Sequence, residues 1–391
     1  MVGPTSKMFI QPPLGPALAA MTALQGIVAL ALFAPGVLAP RLGLGEGHIA
    51  LFTTGCFAVG MVGAFWGGGL IARFGSFGVA ALCMAAVVAS MALTATGSPW
   101  ALLAGGLVLG LAFGPETPAS SALLGRLARP EQHPVIFSVR QTGNQIGAMI
   151  GSLALPWLAL VAPSAGYAAI IAIALAAAVV FLLLRPAYDP LTRTSSASDP
   201  RAAWALLRQD HTVRDLALIS LPFSAMQLGL NAFFVTYLTG SLGLTHVAAG
   251  VMLGVAQAGG LIGRLSWGVV AGRLGAARPV IIGLGLGMAA TACLAATLPV
   301  DISRPALAAT AFLFGLTASG WNGVFLAEVA RIAPEGRVGE ATGAVLTASY
   351  AGLVSGPILI ATISMLGSLR LSYALLGLAC FLATLWFIKH K

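Results

Sequence analysis

The sequence predicts an all-α membrane protein with twelve transmembrane helices in two pseudo-symmetric six-helix bundles. Three observations predict it. Of 391 residues, 58% are hydrophobic and only 8% charged, whereas soluble chains carry about a quarter charged residues. Apolar runs of about 20 residues, long enough to cross the hydrocarbon of a bilayer, recur from end to end. The second half of the chain also repeats the first.

Charged, Pro-rich or Gly-rich breaks divide the chain into spans near 14–39, 49–72, 77–96, 100–125, 135–160 and 167–185. Six more follow near 213–240, 248–272, 279–298, 305–330, 338–366 and 370–388. They are read as helices because lipid offers the backbone no hydrogen-bond partner and no alternating strand pattern is present. The first run, Leu14 to Ala39, is too long for a cleaved signal peptide and lacks an A-x-A site before a soluble domain, so it is expected to be a retained span. RPAYDPLTRTSSASDPRAAWALLRQDHTVRD, 185–215, is the only long polar segment and reads as a linker ending in a short surface helix. The expected organisation is thus an N-terminal bundle over 1–185, a cytoplasmic linker over 186–212 and a C-terminal bundle over 213–391.

Lys and Arg set the orientation. With a cytoplasmic N-terminus, fifteen fall on that side: Lys7, Arg73, Arg126, Arg129, Arg185, Arg193, Arg201, Arg208, Arg214, Arg273, Arg278, Arg331, Arg337, Lys389 and Lys391. Three (Arg41, Arg304 and Arg370) fall opposite, and Arg140 and Arg264 remain inside spans. The positive-inside rule places both termini in the cytoplasm, and the expected location is a bacterial inner membrane. The net charge of +9 is spread singly over short loops, without the basic stripe and interleaved aromatics of a nucleic-acid binder.

Cys56, Cys83, Cys293 and Cys380 lie far apart inside spans, with no CxxC pair, which indicates neither a disulfide framework nor a zinc site. No G-x-S-x-G, H-E-x-x-H or Walker loop is present, so neither an enzyme, a metal nor a cofactor is expected. His48, His133 and His246 fall in predicted loops, which gives no support to a histidine proton relay.

The repeat is explicit. GGLIARFG, 68–75, corresponds to GVVAGRLG, 268–275, and GLAFGPETPASSALLGRLARPE, 110–131, matches GLTASGWNGVFLAEVARIAPE, 315–335, in spacing. Gly147 and Gly151 of span 5 match Gly352 and Gly356 of span 11. Parallel repeats of six helices are a feature of many secondary transporters, with the substrate site between them near the midplane.

With these motifs the whole chain resembles the major facilitator superfamily. That family's loop between spans 2 and 3 reads G-x-x-x-D-R-x-G-R-R; here it runs Gly68, Gly69, Leu70, Ile71, Ala72, Arg73, Phe74, Gly75, Ser76. Ala72 replaces the aspartate and Ser76 the second basic residue, and the second copy keeps Gly268, Arg273 and Gly275 with Gly272 at the acidic position. The resemblance implies a gating role for Arg73, Gly75, Arg273 and Gly275, against the simpler reading of tight turns with positive-inside arginines. Span 5 reads GNQIGAMIGSLALP, 143–156, without the GP-x-x-GG element of the family's proton-coupled drug antiporters.

Arg264 lies in GGLIGRLSWG, 259–268, inside span 8. An arginine at the centre of a membrane helix costs about 2.5–3.5 kcal/mol on insertion scales. A guanidinium is always charged, and its fork matches a planar anion bidentately. The order Arg264, Leu265, Ser266, Trp267, Gly268 resembles span 8 of monocarboxylate, oxalate and nitrate carriers, and the resemblance implies that Arg264 binds an anion. The competing reading is an arginine that snorkels to the interface or ties the gate. Gln257, two turns earlier on the same face, is a neutral donor.

Glu116 in FGPETP is the only acid well inside the N-terminal half. Pro115 and Pro118 beside it predict a local helix break with free carbonyls. A carboxyl in low dielectric favours its neutral form and suits a proton carrier; alternatively Glu116 pairs with Arg140 on span 5. Its counterpart in the second half is Trp321. Arg140 and Asn144, one turn apart, share a face, as do Gln141 and Gln145, so this polar stretch lines a cavity or packs on span 8. Arg140 is read either as a substrate or gating contact or as a structural cation. Gln25, Gln227, Asn231, Trp321, Asn322 and Tyr350 are further candidate substrate contacts, interhelical packing being the alternative for each. Phe65, Trp66 and Trp267 read as packing or interface residues, and Glu328 and Glu340 as partners of Arg331 and Arg337 at a gate.

The leading expectation is a monomeric secondary transporter in the lipid bilayer that moves a small organic anion, a monocarboxylate or dicarboxylate, by alternating access, with protons as coupling ion. Efflux of a hydrophobic or cationic compound, and a non-transporting sensor of the same fold, remain as alternatives.

Overall fold

The computed structural model describes residues 12–44, 46–162, 164–193 and 202–389; Lys7, Arg201 and Lys391 of the positive-inside tally fall outside them. Among the described residues fourteen α-helices follow one another: α1 Leu14–Leu38, α2 Glu46–Phe74, α3 Ser76–Thr94, α4 Pro99–Leu127, α5 His133–Val161, α6 Ala165–Thr192, α7 Ala202–Gln209, α8 His211–Leu242, α9 His246–Leu274, α10 Arg278–Thr297, α11 Arg304–Ala318, α12 Asn322–Ile332, α13 Val338–Leu366 and α14 Leu369–Lys389. Among the described residues, eleven segments are long and apolar enough to cross a membrane, with Arg304–Ile332 counted as one. The 29-residue α5 packs along α1 on one side and α9 on the other, and supplies the twelfth crossing. The short α7 is the surface helix expected at the end of the linker, and His48, His133 and His246, expected in loops, fall in the first turns of α2, α5 and α9.

The repeat read from sequence reappears as packing. In the first half α1 packs on α5, α2 on α4 and α3 on α6; in the second, α8 packs on α13, α9 on α11 and α10 on α14. Small residues make the equivalent contacts. A side chain at Gly147 would strike the carbonyl of Gly26 on α1, and one at Gly352 would strike the carbonyl of Leu221 on α8. Such close backbone approach is how membrane helices gain dispersion energy where lipid removes the hydrophobic drive.

Three expectations need correction. Pro115 and Pro118 do not break their helix, because α4 is continuous from Pro99 to Leu127. Side-chain donors brace the carbonyls around the prolines: Cys83 on Ala112, Tyr350 on Phe113 at 3.1 Å, Ser120 on Glu116 at 2.7 Å and Ser76 on Ala119 at 2.7 Å. The break occurs instead in span 10, where α11 stops at Ala318 and α12 starts at Asn322. There the Leu316 carbonyl is taken by the Trp267 indole at 3.0 Å, as a broken helix needs inside a membrane.

The third correction concerns span 6, which runs past 185 to Thr192 through Pro186 and Pro190. Its tail is held by Asp189, whose carboxylate accepts the Phe77 and Gly78 backbone N–H groups at 2.7 and 3.1 Å and Arg185 Nε at 3.1 Å. The Thr192 hydroxyl accepts the Ser76 N–H at 3.0 Å. The orphan donors and positive dipole end at the start of α3 thus receive an acid from α6, in a loop whose own acidic position is Ala72. Gly75 permits this: its φ is +78°, and a Cβ there would collide with Asp189.

Asp189→Ala should therefore destabilise the protein by about 2 kcal/mol, seen as a lower melting temperature of the purified protein. Asp189→Asn, which keeps one acceptor, should recover part of the loss; identical melting curves for all three proteins would show that the cap contributes nothing.

Candidate functional site

Between the two halves lies a cavity of about 180 Å³. It brings together most of the polar residues singled out in the sequence: Gln25 of α1, Asn144 of α5, Gln227 and Asn231 of α8, Arg264 of α9, Trp321 and Asn322 at the α11–α12 break, and Tyr350 of α13. Glu116 of α4 lines it too. Gln257 and Arg140 stand one layer behind the wall.

Arg264 is 1% exposed and turned neither to lipid nor to the interface. Its Nη1 donates to the Gln141 backbone carbonyl across the seam between halves at 2.9 Å, and its Nε has no partner. Among the described residues it forms no ion pair. Arg140, also fully buried, has a different solution. Its Nη2 lies 2.6 Å from Glu116 Oε2 and donates to the Thr117 hydroxyl at 3.1 Å, while Thr117 donates to Glu116 Oε1 at 2.6 Å. Glu116 is 3% exposed, so the two charges neutralise each other away from water. The Arg140 Nε and Nη1 remain without acceptors.

Amide side chains form ordered links around the charges. Gln145 donates to Gln257 at 3.2 Å, and Gln257 donates to Asn231 at 3.1 Å, a chain that crosses from one half to the other. Gln25 donates to Gln141 at 2.6 Å. The Gln227 carbonyl accepts both the Trp321 indole at 3.1 Å and the Asn322 amide at 3.2 Å. Gln257 therefore acts on the cavity through Asn231 rather than by direct lining.

Sequence reasoning did not single out Phe57, Phe113, Phe325 or Ser349, which also line the cavity. An aromatic on a cavity wall and one in a helix interface look alike in sequence. Asp189 was missed as well; its one signal is that it is the sole acid of the segment Ala165–Thr192, in the stretch read as linker.

The gating candidates divide. One end of the bundle carries Arg73, Arg126, Arg331 and Arg337; a surface cavity of about 920 Å³ opens among Arg126, Arg331 and Arg337, and the two halves also meet closely at this end. There the Ser138 side chain of α5 sits between Gly268 of α9 and Gly323 of α12, so close that a Cβ at either glycine would collide with it; Gly343 of α13 likewise meets the Ala64 carbonyl of α2. Towards the other end, Gly240, Gly243, Gly250 and Gly254 have nothing within 4 Å of a Cβ position. Arg73 is exposed and lies over its own neighbour, the Phe74 ring, at 5.1 Å. Arg273 and Gly275 are exposed too, and nothing lies within 4 Å of a Cβ at Gly275. The structure does not join these three into a latch, for want of the acid that Ala72 and Gly272 replace. Arg331 pairs with Glu328 at 2.7 Å and Arg337 with Glu340 at 2.7 Å, each within one helix turn.

Two repeated six-helix halves that enclose a polar cavity, sealed at one end by small residues, match a known sequence family. A profile of the Major Facilitator Superfamily covers residues 16–352. The chain belongs to the Major Facilitator Superfamily. No curated protein matches it in sequence. Solved structures of the same fold include a bacterial homologue of the iron transporter ferroportin in an outward-facing state with soaked iron, at 17% identity and TM-score 0.79 over 97% of this chain and 99% of that one. The human organic anion transporter MFSD10 (TETRAN) is similar at 20% identity and TM-score 0.76 over 96% and 100%. The E. coli fucose:proton symporter FucP aligns at 16% identity and TM-score 0.75 over 97% and 99%. As a member of the superfamily the protein is a multi-pass integral membrane transporter of the secondary type, not an enzyme.

Gly323→Val should wedge the sealed end open, because the added atoms would meet the α5 backbone at Ser138. In protein freed of its native cysteines, spin labels at Arg126 and Glu335, both exposed at that end, should move apart relative to the parent. An unchanged distance distribution would show that this seat does not hold the end closed.

Proposed function

We propose that this protein carries a small organic anion across the bilayer by alternating access, with the anion held at Arg264. The observation that carries the reading is the absence of a counter-charge among the described residues: the other buried guanidinium, Arg140, is neutralised by Glu116 at 2.6 Å, whereas Arg264 lines the cavity with one neutral carbonyl as its only described partner. A carboxylate supplies what that site lacks. Asn231, whose oxygen accepts from Gln257, and Gln227, whose oxygen accepts from Trp321 and Asn322, line the same cavity and have amide N–H groups to donate. A cationic solute attracted by Glu116, the alternative within transport, would find that carboxylate already taken by Arg140.

The positive-inside asymmetry supports a cytoplasmic placement of the sealed, arginine-rich end, which makes the state described an outward-facing one. Among the described residues Glu116 is the only carboxyl on the cavity wall, and we assign it the coupling proton. Protonation would release Arg140 from its partner, and the freed guanidinium, two of whose nitrogens already lack acceptors, would reorganise the seam. A fucose:proton symporter and an organic anion transporter share this fold, which is compatible with both parts of the reading.

Purified protein should be stabilised against heat by millimolar monocarboxylates, by about 2.7 kcal/mol at a hundredfold excess over Kd. Arg264→Gln should abolish that stabilisation. No thermal shift with any carboxylate in the parent protein would remove the anion reading. In vesicles, Glu116→Gln should still exchange labelled anion across the membrane but fail to accumulate it under an imposed pH difference; accumulation equal to the parent would place the coupling elsewhere.

A further inference from the structure

We propose that the charge and size of the cavity select a monocarboxylate with an apolar body about the size of one ring, and that Glu116 is the residue that turns a second carboxylate away. This rests on the anion reading above and narrows it. Among the described residues only two charged side chains line the cavity, Arg264 and Glu116. Arg140 stands behind Glu116 and cancels it, so the wall carries one net positive charge. One carboxylate on Arg264 closes that balance. A second would enter a low-dielectric space with no cation left to meet it and with the Glu116 carboxylate on the same cavity wall, and an uncompensated charge there is strongly disfavoured. Repulsion of the wrong ligand is as much a source of specificity as attraction of the right one.

The body of the ligand is read from the remaining wall. Phe57, Phe113 and Tyr350 form one run of ring contacts, with centroids 5.3 and 5.5 Å apart. Trp321 and Phe325 form another, at 4.9 Å. All five rings line the cavity. They present faces and edges that suit a flat apolar group in edge-to-face or offset contact. An apolar cavity of about 150 Å³ is known to take benzene, so about 180 Å³ has room for one ring and its carboxylate. Acetate would leave most of the ring surface against water.

Calorimetric titration of the purified full-length protein at neutral pH, with benzoate, acetate, phthalate and 2-nitrobenzoate at matched ionic strength, tests this. Phthalate and 2-nitrobenzoate share a shape and differ by one charge. Benzoate and 2-nitrobenzoate should bind alike, acetate and phthalate each about tenfold or more weaker. In Glu116→Gln the wall carries two unbalanced guanidinium groups, and the ratio of phthalate to benzoate affinity should rise about tenfold. Phthalate binding as tightly as 2-nitrobenzoate in the parent, or an unmoved ratio in the folded variant, overturns the charge filter. Acetate equal to benzoate overturns the ring-sized body. In each of these cases anion binding itself persists and still depends on Arg264, whereas binding of none of the four probes would overturn the underlying anion reading. The ligand series on the parent protein decides the matter independently of whether Glu116→Gln folds.

Discussion

The Arg264 guanidinium reaches from α9 across to α5 and donates to the Gln141 carbonyl. One neutral carbonyl does not balance a full charge in a low-dielectric interior, so the position is tolerable only beside space that admits water or an anion. The cavity supplies that space, and the polar side chains around it are arranged in consequence. Arg140, next to Gln141 in the chain, shows the contrasting solution. It has a carboxylate at 2.6 Å and a hydroxyl that bonds to both members of the pair, and it makes no demand on a ligand. Of the two buried arginines, one is neutralised by a glutamate, and the other is left to the anion we propose.

A transporter's seam must seal and must also release. Among the described residues no ion pair crosses between the halves: Arg140–Glu116 and Arg185–Asp189 lie within the first half, Arg331–Glu328 and Arg337–Glu340 within the second. The closed end is instead made by shape, with Ser138 seated between Gly268 and Gly323. Such contacts gain dispersion energy over many atom pairs and strand no unpaired charge when they part. Polar links do cross at the cavity, through Gln145–Gln257, Arg264–Gln141 and Tyr350–Phe113, which places the links that a solute could rearrange beside the solute itself.

Much of the fold was legible in the sequence because lipid leaves the backbone one local solution. Apolar runs of the right length become helices, and apart from span 6, which runs on to Thr192, the helix ends fall within a few residues of the charged and glycine-rich breaks. The pairing of Arg140 with Glu116 was legible as one of two readings, since the two residues sit at similar depths on neighbouring spans. The errors have physical causes. Pro115 and Pro118 looked like a break, but donors from α3 and α13 brace that helix. Span 10 looked continuous, but Trp267 on α9 satisfies the carbonyl freed by its interruption. Arg73 and Arg273 matched a motif whose acidic partner is missing from both copies, and they lie exposed. For the prolines and for span 10 the deciding atom belongs to another helix.

The sequence by itself determined the twelve crossings, the internal repeat, the asymmetry of basic residues between the two ends and the set of polar side chains that cannot face lipid. Each of these depends on composition and spacing along one segment, because the bilayer imposes the same rule on every helix. Tertiary structure alone decided which of those polar groups meet, that Asp189 of one helix caps the start of another, and that Glu116 neutralises Arg140 while Arg264 is left without a counter-charge. Those outcomes turn on ångström-scale distances between helices far apart in sequence, and a charge's surroundings, unlike its identity, are not written in its own segment.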